Sequence, residues 1–187
     1  MERKWLEIGP GSTERDSTWL RMDCEPGEQI DLICQWGAEP IPLPDESMEL
    51  IYASHVLEHV PWYQTKFAMR EAWRVLRPYG RLEIHVPDFD VLMEAVRQKR
   101  CLDDHAENGF NRELHWMHWV AERLFHMAPD SQWHRACFNA EHLEWCLLNC
   151  GFGDIKRLDS ERGTDHGVVN LGMGGVKIPK ANQHEED

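Results

Sequence analysis

Short apolar runs alternate with polar segments through the first half of the chain, and most of them have the length of a β-strand. One longer stretch between them carries its apolar residues at helical spacing. The predicted strands of this half cover residues 4–8, 19–23, 30–34 and 49–54 and the alternating Leu82, Ile84 and Val86, with Pro87-Asp88 closing the fifth. Strands that alternate with helical segments favour a mostly parallel sheet with right-handed crossovers.

Three helices are predicted from the same periodicity. Residues 64–76 and 89–100 have apolar positions on one helical face, and residues 139–149 follow Asn139, a residue type favoured at the N-cap. Pro78-Tyr79-Gly80 is expected to end the first helix and turn the chain. Two closing strands are predicted at 154–158 and 167–178, which brings the total to seven.

The predicted fold is therefore an α/β, Rossmann-like, mostly parallel seven-stranded sheet. About ten residues separate strands one and two, which is near the lower limit for a helical crossover. The first crossover helix is accordingly expected to be reduced or absent, and one face of the sheet to be thinly covered. We expect an insert, or the second subunit of a homodimer, to cover that face.

The insert is predicted at residues 101–136, where the alternation of strands and helices is interrupted between strands five and six. This segment is predicted to be a helical cap within a single domain of residues 1–178. Residues 179–187 are acidic and polar, and we expect them to form a disordered tail.

Charge and cysteine content narrow the class of protein. Lys and Arg total 20 against 33 for Asp and Glu, which gives a formal net charge of −13. This acidity argues against a broad surface for nucleic acid or anionic membranes. The six cysteines include no Cys-x-x-Cys pair, and neither a signal peptide nor a long apolar segment is recognised, so we expect reduced thiols in a cytoplasmic protein.

A candidate cofactor site lies at the start of the chain. The run Leu6-Glu7-Ile8-Gly9-Pro10-Gly11 predicts a buried strand followed by a tight turn, and Asp23 ends the next strand. Glycine lets a backbone approach a ligand closely, and an acidic residue at the next strand end can accept hydrogen bonds from ribose hydroxyls. The two features together predict a nucleoside-containing cofactor at the carboxyl ends of the strands.

In these segments the chain resembles the class I S-adenosylmethionine-dependent methyltransferases, and most closely the small type 11 group. The resemblance is carried by residues in the same order and spacing, namely Leu6 to Gly11, Pro42-Leu43-Pro44-Asp45-Glu46-Ser47-Met48-Glu49-Leu50-Ile51, Ser54-His55-Val56-Leu57-Glu58-His59 and Ala72-Trp73-Arg74-Val75-Leu76-Arg77-Pro78-Tyr79-Gly80-Arg81-Leu82. It covers residues 5–90 and resumes at Leu143 to Phe152. Three positions depart from the family pattern: Thr13 and Tyr79 replace glycines, and Gly37 stands where an Asp is common.

The resemblance implies a role for each matching position. Glu7 and the turn Gly9-Pro10-Gly11 would line the methionine end of S-adenosylmethionine, and Asp23 would hold its ribose. Further contacts are implied after strands three and four: adenine would lie against Trp36, Gly37 and Ala38, and the methionine and methyl group against Ser54 and His55.

A second group of notable residues is rich in histidine and tryptophan: His115, Trp116, His118, Trp119, His126, Trp133 and His134. A packed aromatic lid and a substrate pocket with a histidine base are both compatible with this pattern. Neither a carboxylate nor a Cys pattern there is diagnostic of a metal, so no metal is expected. His134 is the candidate base, because it precedes the return to regular strands and helices and is expected near the carboxyl edge of the sheet.

The resulting prediction is an S-adenosylmethionine-dependent methyltransferase. Its expected acceptor is a small molecule or a glycan, methylated on oxygen, with His134 assisted by His55 or His59 taking the hydroxyl proton. A neutral amine acceptor would not require that base. Two alternatives remain open, namely a non-catalytic module that binds S-adenosylmethionine or S-adenosylhomocysteine and regulates a partner, and an aminopropyl transferase on the same fold.

Overall fold

The computed structural model describes residues 3–13, 15–102, 115–125, 133–163 and 165–179. The strands are β1 Trp5–Ile8, β2 Trp19–Asp23, β3 Leu32–Ile33, β4 Met48–Ser54, β5 Leu76–Pro87, β6 Phe152–Arg157 and β7 Asn170–Lys177. The helices are α1 Thr65–Val75, α2 Phe89–Gln98, α3 Trp116–Phe125 and α4 Ala140–Leu148, with short 3₁₀ turns at Leu57–His59 and Gly167–Val169.

The seven strands form one sheet in the order β3-β2-β1-β4-β5-β7-β6. Strands β1 to β5 run parallel, whereas β7 is antiparallel to both of its neighbours. The predicted fold class is confirmed. The strand order reverses between β1 and β4, and the gap at such a reversal, beyond the carboxyl ends of the strands, is where open α/β sheets bind ligands.

The main core lies between one face of the sheet and two helices. Alternate strand residues such as Leu6, Ile51 and Leu82 are fully buried there, together with Ala72 of α1 and Leu147 of α4. Asn139 caps α4, since its side-chain oxygen accepts a hydrogen bond from the His142 amide at 2.9 Å, as predicted.

The turn predicted at Pro78-Tyr79-Gly80 is instead part of β5, which begins directly after α1 at Leu76. Tyr79 has a φ of 64°, and the pairing of β4 with β5 shifts register between Met48 and Leu50. The chain therefore changes direction through an irregularity inside the strand, because β4 continues to supply hydrogen-bonding partners on both sides of it.

The described residues between β1 and β2 form turns and no helix, as predicted for the first crossover. The other face of the sheet carries the small cluster of Trp19, Leu50 and Tyr52. Among the described residues, two loops cover this cluster, and the expected cover by a second subunit stays a prediction. Arg15 lies over the rings of Trp19 and Tyr52, and the Arg162 amide donates a hydrogen bond to the Tyr52 hydroxyl at 3.0 Å.

The loop 158–163 covers this face because its polar groups find partners there. Arg162 pairs with Glu83 of β5 through two hydrogen bonds, one of them 2.9 Å long, and its carbonyl accepts from Arg15. The described insert helix α3 packs on α2 instead, where Trp119 is completely buried. Residues 103–114, 126–132 and 180–187, and with them parts of the predicted cap and tail, lie outside the described residues.

None of the described helices has the length and apolar character needed to cross a membrane.

Candidate functional site

A cavity of about 650 Å³ opens at the carboxyl ends of β1, β2 and β4. Its lining includes Gly9 and Gly11 from the first turn, Asp23 from the end of β2, His55 from the end of β4 and His134 from the segment before α4. Residues that are far apart in sequence therefore meet where the resemblance implies the cofactor.

The first turn brings backbone to the cavity surface. Gly9 and Gly11 have φ values of 63° and 52°, in the left-handed region that favours glycine. A Cβ at Gly9 would overlap the side chain of Val56, whereas a Cβ at Gly11 would meet nothing within 4 Å. Gly9 is thus required by packing, while Gly11 leaves open space for a ligand; Pro10 between them is buried.

Asp23 lies at the rim shared by this cavity and a smaller one of about 70 Å³. One carboxylate oxygen accepts a hydrogen bond from the Glu25 amide at 3.1 Å, which fixes the side chain at the strand end. Glu7 faces away from the cavity. It is buried beneath Arg15, which donates to its two oxygens at 2.7 and 3.0 Å. The predicted contact between Glu7 and the cofactor therefore has no support in the cavity lining.

The smaller cavity is the candidate adenine pocket, and Trp36 lines it. The Trp36 indole N–H donates to the Ala68 carbonyl at 2.9 Å, so one edge of the ring is held in the core. Gly37 has a φ of 94°, and a Cβ there would lie 2.5 Å from Val60. Gly37 and Ala38 shape the loop behind the pocket without lining it, and their predicted adenine contacts stay predictions.

His55 marks the end of β4 and has a φ of 53°, an unusual conformation for a non-glycine residue that is often found at functional sites. Its Nδ1 lies 3.3 Å from Oε1 of Glu58, and its ring stacks on that of His166 with centroids 3.6 Å apart. Ser54 does not line the cavity and donates instead to Glu161 at 3.1 Å.

Glu58 is buried in the wall of the cavity, with 1% of its surface exposed. Burial acts to raise the pKa of its carboxyl group, but His55, His59 and His134 around it outweigh burial, and the net shift is downward. The sequence alone favours a structural acid at a helix start for this residue. Its position among three histidines becomes visible only in the fold.

The segment before α4 brings His134 to Glu58. The amides of Arg135 and Ala136 donate to the Glu58 carbonyl at 2.7 and 3.1 Å, which joins the end of the insert to the β4–α1 loop. The Nε2 atom of His134 then lies 3.9 Å from Oε1 of Glu58, and its ring meets that of His59 edge-on at 4.9 Å. The three histidines predicted as catalytic thus surround one carboxylate, while their individual roles stay predictions.

A second acidic centre was missed by sequence reasoning. Glu161 of the loop between β6 and β7 accepts hydrogen bonds from the amide and Nδ1 of His166, both at 2.8 Å, and lies 3.8 Å from Nε2 of His55. Burial acts to raise the pKa of this carboxyl, but its histidine neighbours lower it overall. Only the fold reveals this pair, because 161–166 is an irregular polar stretch without periodicity.

The other described residues of the histidine and tryptophan group differ in burial, and the histidines among them lie away from the cavity. Trp119 is core and Trp116 is partly buried against it, whereas His115 and His118 are exposed and do not line the cavity. Arg123 of α3 does line the cavity and packs over the Trp119 ring. His126 lies outside the described residues.

Comparison with known proteins agrees with this geometry. A family model described as a methyltransferase domain, of type 11, matches residues 7–84. No curated protein matches the sequence.

Several solved structures share the fold. One is a S-adenosylmethionine-dependent methyltransferase from Archaeoglobus fulgidus, with a TM-score of 0.59, 14% identity and coverage of 94% of this chain and 86% of that one. A second, described as a possible histamine N-methyltransferase from Thermotoga maritima, has a TM-score of 0.54 and 16% identity, with coverage of 93% and 82%. A third, a S-adenosylmethionine-dependent methyltransferase from Methanosarcina mazei, has a TM-score of 0.52 and 13% identity, with coverage of 96% and 95%.

The domain match begins at Glu7 and ends at Ile84, so it contains the glycine turn, Asp23 and the His55–His59 segment. The structural matches extend the likeness to the whole sheet. The chain therefore carries a match to a methyltransferase domain over residues 7–84, and its fold is the one found in S-adenosylmethionine-dependent methyltransferases.

Proposed function

We propose that the protein binds S-adenosylmethionine in the 650 Å³ cavity and transfers its methyl group to a hydroxyl of a small-molecule or saccharide acceptor. The observation that carries the proposal is the composition of the cavity wall. Asp23 and the glycine turn form one side, and the carboxylate of Glu58 with the imidazoles of His59 and His134 forms another.

The cofactor side of the proposal rests on the first two strand ends. Asp23 stands where an acidic side chain can accept hydrogen bonds from both ribose hydroxyls. Gly11 offers backbone without a side chain and with open space above it, which suits the methionine end of the cofactor. In this arrangement the sulfonium lies between the glycine turn and the histidine wall.

The acceptor side rests on the wall of Glu58, His59 and His134, which we call the acceptor wall. Methyl transfer from a sulfonium is an in-line displacement, so the enzyme mainly aligns the two reactants. A hydroxyl must in addition lose its proton, and the acceptor wall offers carboxylate and imidazole groups as polar partners for it. A neutral amine would not need such a wall, which favours oxygen as the methylated atom.

The size and charge of the surroundings support a small polar acceptor. The net charge of −13 disfavours long anionic substrates such as nucleic acids. Next to the acceptor wall, Trp62 donates its amide to the Arg135 carbonyl, and the rings of Trp62 and Tyr63 are exposed. Apolar aromatic faces beside a polar wall suit a ring-shaped acceptor that carries hydroxyls.

Two measurements on the full chain test the proposal. Calorimetry with S-adenosylmethionine, S-adenosylhomocysteine and decarboxylated S-adenosylmethionine should show binding of the first two and weak binding of the third. Transfer of radiolabelled methyl groups to a panel of saccharides, small alcohols and amines should then favour hydroxyl acceptors. Binding without transfer to any acceptor would support the regulatory alternative, and preference for the decarboxylated form would support aminopropyl transfer.

A further inference from the structure

We propose that Glu58, His59 and His134 of the acceptor wall bind a divalent first-row transition-metal ion. This inference rests on the proposed function and deepens it, because it assigns a Lewis acid to the place where the acceptor hydroxyl is expected. It departs from the expectation drawn from the sequence, in which no metal is predicted.

The donor atoms have the separations that one ion requires. One ligand atom from each of the three side chains can be chosen so that all three lie within 4.8 Å of one another. The distance between Nε2 of His134 and Oε1 of Glu58 is 3.9 Å. Ligand bonds of about 2.0–2.2 Å place two donors on one ion roughly 3–4 Å apart, so this pair needs little movement to bind.

The two imidazoles are oriented as metal ligands are. Nδ1 of His134 lies 2.7 Å from the Arg123 carbonyl oxygen, and Nδ1 of His59 lies 3.4 Å from the Trp133 carbonyl oxygen. A neutral ring that donates from Nδ1 keeps its lone pair on Nε2. Metal-binding histidines almost always donate their other nitrogen to a carbonyl or carboxylate in this way.

The described residues supply the carboxylate between them poorly with hydrogen bonds. Among the described residues, neither oxygen of Glu58 accepts a hydrogen bond, although the side chain is almost fully buried. His55 Nδ1 approaches one of them at 3.3 Å without hydrogen-bond geometry. A buried carboxylate that faces an imidazole nitrogen is unfavourable unless a cation lies between them. A proton on the ring supplies that cation as an ion pair, and a metal ion bound by both groups supplies it as well.

A neighbouring group of similar composition provides a contrast. Glu161, His55 and His166 also lie within reach of one ion. Glu161, however, accepts hydrogen bonds from the Ser54 hydroxyl and from the amide and Nδ1 of His166, so its oxygens are already satisfied. The unsatisfied carboxylate at Glu58 therefore selects the acceptor wall over this second group.

The donor set indicates the type of ion and its use. Two imidazoles and one carboxylate suit Zn²⁺, Fe²⁺, Co²⁺ or Mn²⁺ better than Ca²⁺, which prefers oxygen ligands. Three protein ligands leave positions open to the cavity, as in catalytic metal sites. An acceptor hydroxyl bound at an open position would be more acidic than in water, which serves transfer of the methyl group to oxygen.

The test uses the full chain, stripped of metal with a chelator and titrated with Co²⁺ without S-adenosylmethionine. Calorimetry should show one equivalent bound, and visible absorption should report the imidazole ligands. His134→Ala and His59→Ala should each weaken Co²⁺ binding by about 100-fold or more, beyond the usual effect of removing an outer partner of a ligand. Glu58→Gln is informative only if its circular dichroism spectrum matches that of the wild type, and it should then also weaken binding.

Two control variants define the site. His118 is exposed on α3, and His118→Ala should bind Co²⁺ like the wild type. His166→Ala should also retain binding; loss of binding in this variant but not in His134→Ala would move the metal to Glu161 and overturn the assignment. Failure of the wild type to bind Co²⁺, Zn²⁺ or Mn²⁺ would overturn it as well.

The proposed metal site and the proposed methyltransferase function can be refuted independently of each other. Binding of S-adenosylmethionine and methyl transfer that continue at full rate in excess chelator would overturn the role of the metal and leave the proposed function intact. Conversely, Co²⁺ binding at the acceptor wall without any binding of S-adenosylmethionine would overturn the proposed function and leave the metal site intact.

Discussion

Asp23 is the side chain on which recognition of the cofactor most depends, because its carboxylate ends β2 at the rim of both cavities. Asp23→Ala removes hydrogen bonds to a charged group, which are worth about 1.5–3 kcal/mol. Calorimetry should therefore show roughly 10- to 150-fold weaker binding of S-adenosylmethionine, as follows from that free energy. Asp159→Ala, at an exposed loop position, is the matched control. Equal affinity of Asp23→Ala and wild type would refute the assignment to ribose.

His134 is predicted to act on the acceptor and not on the cofactor, since its Nε2 faces Glu58 on the acceptor wall. His134→Ala should leave the affinity for S-adenosylmethionine nearly unchanged and lower turnover by roughly 10²–10⁴-fold, the usual effect of losing a group that assists proton removal. His134→Asn should behave in the same way, because the amide keeps polarity and approximate size but cannot replace the imidazole.

The control for this prediction is His118→Ala, which removes an exposed imidazole of α3. If the role of His134 were purely structural, His134→Ala would instead lower the melting temperature and leave turnover per folded molecule unchanged. That pattern would contradict the role on the acceptor wall.

At the residue scale, the predictable part of the site was the part fixed by local sequence. Gly9 and Gly11 follow the first predicted strand and Asp23 ends the second, so the positions of the strand ends determine where these residues lie. Glu161 and His166 could not be predicted, because an irregular loop carries them to His55 across the sheet. Their proximity depends on pairing between β6 and β7 and on the Arg162 contact with Glu83, neither of which has a local signature.

At the level of elements, the two glycines of the turn after β1 are predicted to have different roles, Gly9 in packing and Gly11 in ligand binding. In Gly9→Ala the left-handed φ costs about 1–2 kcal/mol and overlap with Val56 adds about 1–3 kcal/mol. Gly11→Ala bears only the first cost, since no atom lies within 4 Å of the added Cβ. Denaturant unfolding should therefore show a clearly larger loss of stability for Gly9→Ala.

The affinity for S-adenosylmethionine should provide a second difference between the two glycine variants. Gly11→Ala is expected to weaken binding while it stays largely folded, because the new methyl group occupies the open space above the turn. If Gly11→Ala bound the cofactor with wild-type affinity, a close approach of the ligand to this turn would be excluded.

Helix α3 is predicted to belong to a mobile cap over the acceptor pocket. It contacts the rest of the protein mainly through α2, and Arg123 on it lines the cavity. Hydrogen exchange should show weak protection of residues 116–125 without ligand and stronger protection with S-adenosylmethionine, because a ligand that contacts the cap stabilises its closed form. Equal and strong protection in both states would identify a static insert.

The elements were predicted well where hydrophobic periodicity determines them and poorly where tertiary contacts do. Helix α1 and strand β2 agree closely with the predicted ranges, because their apolar faces are buried against the sheet or within it. The predicted start of β5 was wrong, since pairing with β4 extends the strand back to Leu76 through Pro78 and Tyr79. Local turn chemistry alone contains no information about such a partner strand.

For the whole molecule, the distinctive feature of the described residues is a sheet with α1 and α4 packed on one face and buried ion pairs on the other. The absence of a described crossover helix between β1 and β2 leaves Glu7 and Glu83 buried on the second face, and Arg15 and Arg162 neutralise them. Both arginines come from loops, and the Arg162 loop also carries Glu161 to the site. The same contacts that cover the sheet therefore complete the functional cavity, so stability and function should be coupled through this loop.

This coupling gives a prediction for acid unfolding. Burial acts to raise the pKa of Glu83, but hydrogen bonds and charge from Arg162 outweigh it, and the pKa is lowered overall from its ordinary 4.5. A carboxyl group with a lowered pKa in the folded state stabilises the fold above its unfolded-state pKa, and this contribution is lost as the pH falls through the folded-state value. Glu83→Gln should therefore be less stable than wild type at pH ~7, and the difference should shrink between pH ~5 and pH ~3.

Urea unfolding at a series of pH values measures this difference, with Glu144→Gln on the exposed surface of α4 as the control. The wild type should still lose stability in acid after Glu83 is replaced, because Glu58, Glu71 and Glu161 also have lowered pKa values. The informative quantity is therefore the difference in unfolding free energy between variant and wild type.

A difference independent of pH would mean that the pair of Glu83 with Arg162 contributes through packing and not through charge. A difference that shrinks in acid, together with weaker His166 protection in Glu83→Gln, would show that the loop holds the sheet and the site together.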